Sequence, residues 1–180
     1  MKKLVLVILW GTLFTFAVEL IAPIYAIFVK DISGDILSVG FAYAIYSIVL
    51  ATLQPFMGKI ADKYGRIKLS IFANMINSFG LFGYIFITNI FHVYFIQALL
   101  GVGSSIAAPS QQAMIADVTS KNKRGEEFGY LNMFLGYSSA IAAILAGVIA
   151  QFISFQVVFL IGGLVALIST IPLIMLRNRN

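Results

Sequence analysis

Gly58-Lys59-Ile60-Ala61-Asp62-Lys63-Tyr64-Gly65-Arg66-Ile67-Lys68 is a charged island between two apolar runs, Leu37–Met57 before it and Leu69–Thr88 after it. Glycine at 58 and 65 permits a tight turn and close backbone approach. Asp62 can pair with Arg66 or with a helix N-terminus, whose dipole favours an anion. Each flanking run has about the 20 residues that an α-helix needs to cross a hydrocarbon core of about 30 Å. The island therefore reads as a connector between two membrane spans. A compact charged latch of this kind can break and reform between two states.

Working outward, six such runs are present: Leu4–Val29, Leu37–Met57, Leu69–Thr88, Phe91–Ala116, Phe128–Gln151 and Phe155–Leu176. They are continuous rather than alternating, so helices and not barrel strands are expected, because backbone groups in lipid must be satisfied within the segment. Composition agrees. Of 180 residues, 61% are hydrophobic and only 11% charged, whereas a soluble domain carries about a quarter charged residues. Mean hydropathy is +0.98. Met1-Lys2-Lys3 ahead of an apolar run could open a signal peptide, but Leu4–Val29 is too long for its apolar region and five comparable runs follow. A single six-helix domain over residues 1–180 is expected, with no extramembrane domain.

The net charge of +5 would suggest nucleic acid in a soluble protein. Here the basic residues lie at the ends of apolar runs, so no nucleic-acid partner is expected. Lys2, Lys3, Lys59, Lys63, Arg66, Lys68, Lys121, Lys123, Arg124, Arg177 and Arg179 all fall on one side, and only Lys30 on the other. The positive-inside rule makes both termini cytoplasmic, in a multi-pass protein of the cell membrane. With no cysteine, neither a disulfide nor a thiolate metal site is available. No metal site is expected.

An internal echo suggests duplication. Ala22-Pro23 followed by Ala26 in the first span matches Ala108-Pro109 followed by Ala113 in the fourth. These spans run in opposite directions, so the fold expected is all-α, with two inverted three-helix repeats. Proline-interrupted helices at matching places point to a transport site near the midplane; the bland alternative is coincidence, since proline is common in membrane helices.

The stretch Gly58–Lys68 resembles the signature loop of the major facilitator superfamily, G-x-x-x-D-x-x-G-R-[RK]-[RK]. Gly58, Asp62, Gly65, Arg66 and Lys68 match, and Ile67 replaces one basic residue. Gln97-Ala98-Leu99-Leu100-Gly101-Val102-Gly103 is similar to the family's R-x-x-x-G-x-G, with Gln97 in place of arginine. Asp117 and Arg124-Gly125 are similar to its D…RG connection. Ala142–Gly147 stands where drug antiporters of the family carry G-P-x-x-G-G, without the proline and two of the glycines. The resemblance covers essentially the whole chain at half a typical member's length. It implies half of a major facilitator fold, a conformational latch of Gly58, Asp62, Gly65, Arg66, Lys68, Asp117 and Arg124, and secondary transport of a small molecule by alternating access.

Glu19 is the one charged residue inside an expected span. A carboxylate there costs about 2.5–3.5 kcal/mol on insertion scales and usually faces a cavity or a partner. It lies about 22 Å into the first helix, beyond the midplane. Desolvation would raise its pKa and suit it to carry a proton, so a proton gradient is the expected driving force and no cofactor is called for. An acidic residue ahead of a proline in helix 1 is similar to the pattern of the family's drug–proton antiporters, which implies efflux. A neutral glutamic acid hydrogen-bonded between helices is the alternative. Gln97 opposite cannot supply a counter-charge. Gln97, Gly101, Ser105, Ala108 and Gln112 form one stripe of the fourth span, and Thr12, Thr15, Glu19 and Ala22 one of the first. Small residues in such stripes commonly serve packing, while the glutamines favour a cavity. Tyr43, Tyr46, Gln54, Asn132 and Tyr137 would complete a substrate cavity with Thr15, Gln97, Ser105 and Gln112. His92 at an outer turn, the many phenylalanines, and Glu126 and Glu127 at a helix start read as structural.

Family members build their pathway between two such halves. Three readings follow: a half that forms a parallel homodimer, a half that pairs with a separately encoded six-helix partner, or a fragment. A non-transporting membrane scaffold or degenerate transporter is the alternative class. An intramembrane enzyme is disfavoured, because no span carries a Ser/His pair, an aspartate pair or metal ligands.

Overall fold

The computed structural model describes residues 2–119 and 124–178. The described residues form α1 (Lys2–Glu19), α2 (Ala22–Ser33), α3 (Leu37–Tyr64), α4 (Arg66–Gly83), a 3-10 turn (Tyr84–Phe86), α5 (Ile90–Val118), α6 (Arg124–Phe152), α7 (Phe155–Ile168) and α8 (Thr170–Arg177). Together they make six helical spans long and apolar enough to cross a membrane, the first from α1 and α2 and the sixth from α7 and α8. Several run further than their apolar cores. The second reaches Tyr64 rather than Met57, and the fifth runs Gly125–Phe152 rather than 128–151. Lysines and glutamates are good helix formers, so the backbone continues past the apolar limit.

That extension corrects the reading of Gly58–Lys68 as a loop. Residues 58–64 are helical, and the whole reversal is made at Gly65, whose φ of 98° and ψ of 121° suit a residue without Cβ. Gly58 lies within α3, where an added Cβ would come 3.9 Å from Pro109 Cβ. At the opposite end of the bundle, side chains cap the helices. Ser38 N donates to Asp35 Oδ1 at 2.7 Å, His92 N to Asn89 Oδ1 at 3.1 Å and Val157 N to Ser154 Oγ at 3.4 Å. The bonds from Ser38 hold the exposed Asp35 carboxyl below the usual carboxylate range.

The four prolines act differently. The first span breaks at Leu20–Ile21, just before Pro23, and the sixth at Ser169, just before Pro172. Proline has no N–H to return to the carbonyl one turn earlier. Pro55 and Pro109 nevertheless remain inside unbroken α3 and α5. These two helices pack on each other more extensively than any other pair, and at their crossing a Cβ on Gly101 would lie 2.8 Å from the Tyr46 carbonyl oxygen.

The main packing contacts repeat by inversion. The second span lies on the fourth as the fifth lies on the first; the fourth lies on the third as the first lies on the sixth; the third and sixth meet each other. Exchanging spans 1 with 4, 2 with 5 and 3 with 6 maps this set onto itself, as two inverted three-helix repeats require. The outermost spans are also repeat mates: only 6% of the apolar window is buried in the second and 17% in the fifth.

Polar side chains fasten the spans to one another. Trp10 Nε1 donates to Asn74 Oδ1 at 3.3 Å, and Asn74 Nδ2 donates to Ser169 Oγ at 2.8 Å, joining spans 1, 3 and 6. Ser78 Oγ donates to the Gly163 carbonyl at 2.7 Å, and Ser138 Oγ to that of Thr12 at 2.8 Å. Such bonds average about 0.6 kcal/mol each in membrane helices.

Candidate functional site: a carboxylate cavity and a charged cluster

Two places in this bundle gather polar chemistry. The first is a cavity of about 400 Å³ between spans 1 to 4, walled by Glu19, Ile21, Ala22, Tyr25, Tyr43, Tyr46, Asn77, Leu81, Tyr84, Gln97, Leu100 and Ser104, with Val18 at its edge. Glu19 is the last residue of α1, immediately before the break. Pro23 leaves the Glu19 carbonyl without its helical donor, so a carboxylate and an interrupted helix share one wall. Among the described residues Glu19 makes no ion pair. Gln97 is 7% exposed. The Tyr25 hydroxyl lies against its amide without meeting full hydrogen-bond geometry, and the buried Tyr84 hydroxyl is also unpartnered. The Tyr43 and Tyr46 rings stand 6.2 Å apart. One carboxyl group, two carboxamides and several aromatic faces make a pocket suited to a small amphipathic or cationic molecule.

Of the residues expected to form a cavity, Glu19, Tyr43, Tyr46 and Gln97 come together here. Thr15 and Gln54 are half-buried elsewhere on their helices, and Gln112, Asn132 and Tyr137 are exposed. Ser105 is fully buried and donates to the Val102 carbonyl at 2.7 Å. The wall of α5 is instead 97, 100 and 104, because the stripe drawn through 101 and 105 is spent on packing against α3 and neighbouring helices. Tyr25, Asn77, Tyr84 and Ser104 escaped the sequence reading. Their signal was a polar or phenolic group in an otherwise aliphatic run, which does not say which way a helix faces.

The second place is at the Gly65 end. Arg66 donates from Nε and Nη2 to Asp62 Oδ1, at 3.0 and 2.9 Å, and from Nη1 to Asp117 Oδ2. The guanidinium fork thus ties the ends of spans 2, 3 and 4 together. Both carboxylates are more than 60% exposed, so each pair contributes only about 0–1 kcal/mol to stability. Lys68 is exposed and outside these pairs. Lys121, Lys123 and the side chain of Arg124 lie outside the described residues.

A six-span bundle with inverted repeats, a broken first helix at a carboxylate and a charged cluster across three helix ends defines a membrane transport domain. The chain belongs to the Major Facilitator Superfamily, whose family model matches residues 7–180; it is a transporter-family protein and not an enzyme. It is 28% identical over 148 residues to the uncharacterized transporter YitZ of Bacillus subtilis, covering 80% of this chain and 88% of that one. It is 30% identical over 151 residues to the multi-drug resistance efflux pump PmrA of Streptococcus pneumoniae, covering 82% of this chain but 38% of the pump. Multidrug resistance protein 2 of Bacillus subtilis is 26% identical, and the match takes in 99% of this chain and 45% of that protein. Apart from YitZ, then, the chain spans less than half the length of these relatives. Its fold is that of the crystallised POT family transporter PepTSo, with a TM-score of 0.84 at 15% identity over 98% of this chain and 37% of that one.

Proposed function

We propose that this chain is one half of a secondary active transporter that exports a small molecule by alternating access, driven by a proton gradient. The observation that carries the reading is Glu19, a carboxyl group without a counter-charge among the described residues, at the break of span 1 and in the wall of the cavity. Proton uptake there removes the one formal charge of the cavity, and proton release restores it. Tyr43, Tyr46 and Gln97 hold the substrate beside it. The names of the efflux-pump relatives support export as the direction.

In this reading the Gly65 end is cytoplasmic, as the charge asymmetry of the connections favours, and so are both termini. The Arg66 cluster holds spans 2, 3 and 4 together in one state and parts when the halves rock. The second half is a second copy of this chain or a separate six-helix chain, and the poorly buried spans 2 and 5 leave surface for it. The test is transport in proteoliposomes under an imposed pH gradient. Glu19→Gln should abolish proton-coupled flux while expression and folding are retained. Unchanged coupled flux would sink the proton role. Absence of flux in the unsubstituted protein, with a monomer in native mass spectrometry, would favour a scaffold instead.

A further inference from the structure

Span 2 packs on span 4, span 4 on span 1 and span 1 on span 5, so spans 2 and 5 are the two edges of one row. Only 6% and 17% of their apolar windows are buried. Each edge span is 28 residues long, Leu37–Tyr64 and Gly125–Phe152, and the two run in opposite directions. Counted from the Gly65 end, Lys63 is therefore level with Glu126, Lys59 with Tyr130 and Phe56 with Met133, being one, five and eight residues in from their helix ends. All six are exposed. Asp62, between the two lysines, is held by Arg66. Deeper in, Thr52 on span 2 and Asn132 and Tyr137 on span 5 are exposed as well, about 10–18 Å from that end. Hydrocarbon offers a carboxamide or a hydroxyl no hydrogen bond, so these two faces call for protein against them.

We propose that the occupant of these faces is a second copy of this chain, docked parallel about a two-fold axis along the membrane normal, with span 2 of each copy against span 5 of the other. Lysines at one edge of the row and a carboxylate at the other are matched by a copy turned through half a rotation, which meets both edges at once. Lys63 then stands beside Glu126 of the partner subunit, and Lys59 beside the aromatic ring of Tyr130 of the partner subunit. An added Cβ on Gly129 or Gly136 meets nothing within 4 Å, so a neighbouring helix can come close to span 5 there. Tyr43, 62% exposed and in the wall of the Glu19 cavity, belongs to span 2, so the partner copy adds to that wall. The last consequence rests on the transport reading above, whereas the contact itself is testable without transport.

The test uses the full chain in membranes, and the chain has no cysteine of its own. Phe56→Cys and Met133→Cys are placed on two differently tagged copies, which are co-expressed and oxidised, and the cross-linked species is identified by its mass. Expected is a dimer joining the two copies, at least fivefold more abundant than when either variant is expressed alone. Adding Gly136→Trp, whose side chain projects from an open face, should cut cross-linking at least fivefold with the thermal midpoint retained. Leu164→Trp, on an exposed face of span 6, should leave it unchanged. Lys63→Glu should lower it severalfold, and Glu126→Lys in the same chain should restore it. No cross-link between copies, equal cross-linking with and without Gly136→Trp, equal loss in both tryptophan variants, or no restoration by Glu126→Lys overturns the proposal. Cross-linking to a different membrane chain in place of a second copy overturns it as well. A cross-linked dimer that shows no flux in proteoliposomes supports the interface and sinks the transport reading.

Discussion

The cavity at Glu19 and the cluster at Arg66 both use carboxylates, and they do so in opposite ways. Glu19 sits inside a span with amides and phenols around it and no cation among the described residues. Asp62 and Asp117 sit at helix ends, largely exposed, with one guanidinium shared between them. In the cavity, the proposed event is the gain or loss of one proton at Glu19. In the cluster, the proposed event is the parting of the helix ends that the shared guanidinium now joins. In the function proposed above, one region serves a chemical event and the other a mechanical one. Spans 2 and 4, which pack on each other more extensively than any other pair, carry residues of both regions, and in that proposal they would join the two events.

Substitutions can break this contrast, beginning with the largest effect. Glu19→Gln fixes the cavity in its neutral form and should lower proton-driven flux by more than about tenfold, since general proton carriers are not replaced by an amide; flux at several pH values reads it. Gly101→Leu would drive a side chain into the Tyr46 carbonyl at the crossing of α3 and α5. A destabilisation of about 1–3 kcal/mol or more is expected, seen as a lowered thermal midpoint, and both regions should fail together. Asn74→Ala removes the bonds to Trp10 and Ser169 and should cost about 0.6–1.7 kcal/mol, with the cavity chemistry retained. Arg66→Gln should change stability least, by about 1 kcal/mol or less, yet slow transport severalfold. High salt should mimic its effect on the exposed cluster and leave the Glu19 dependence untouched. A large stability loss in Arg66→Gln would show that the cluster is a fixed brace and not a latch.

Much of the fold was legible because lipid permits few solutions. Apolar length alone located six helices, and each observed span encloses most of its expected run, from Lys3–Ser33 to Phe155–Arg177. The signature at Gly58–Lys68 pointed to the family and to the residues of the charged cluster. It did not reveal that the segment is helical up to Tyr64 and turns on Gly65 alone, because helix propensity continues where hydropathy stops. The cavity was half legible. A lone carboxylate in an apolar run drew attention to Glu19, but Ser104 and Ser105 differ by one helical step, and only packing tells which faces inward.

The prolines show most clearly where sequence ends and tertiary structure begins. By itself the sequence determined that the helices at Pro23, Pro55, Pro109 and Pro172 each lack one backbone donor, which is a local covalent fact. It even offered Pro23 and Pro109 as matching positions. Only the assembled bundle decided that spans 1 and 6 break while spans 2 and 4 stay whole. The physical reason is that α3 and α5 pack on each other more extensively than any other pair, with Pro109 set over Gly58, and that contact braces both helices where each lacks a donor. Span 1 has no such brace at its proline. The helix is interrupted there, and Glu19, at the interruption, stands in the wall of the cavity.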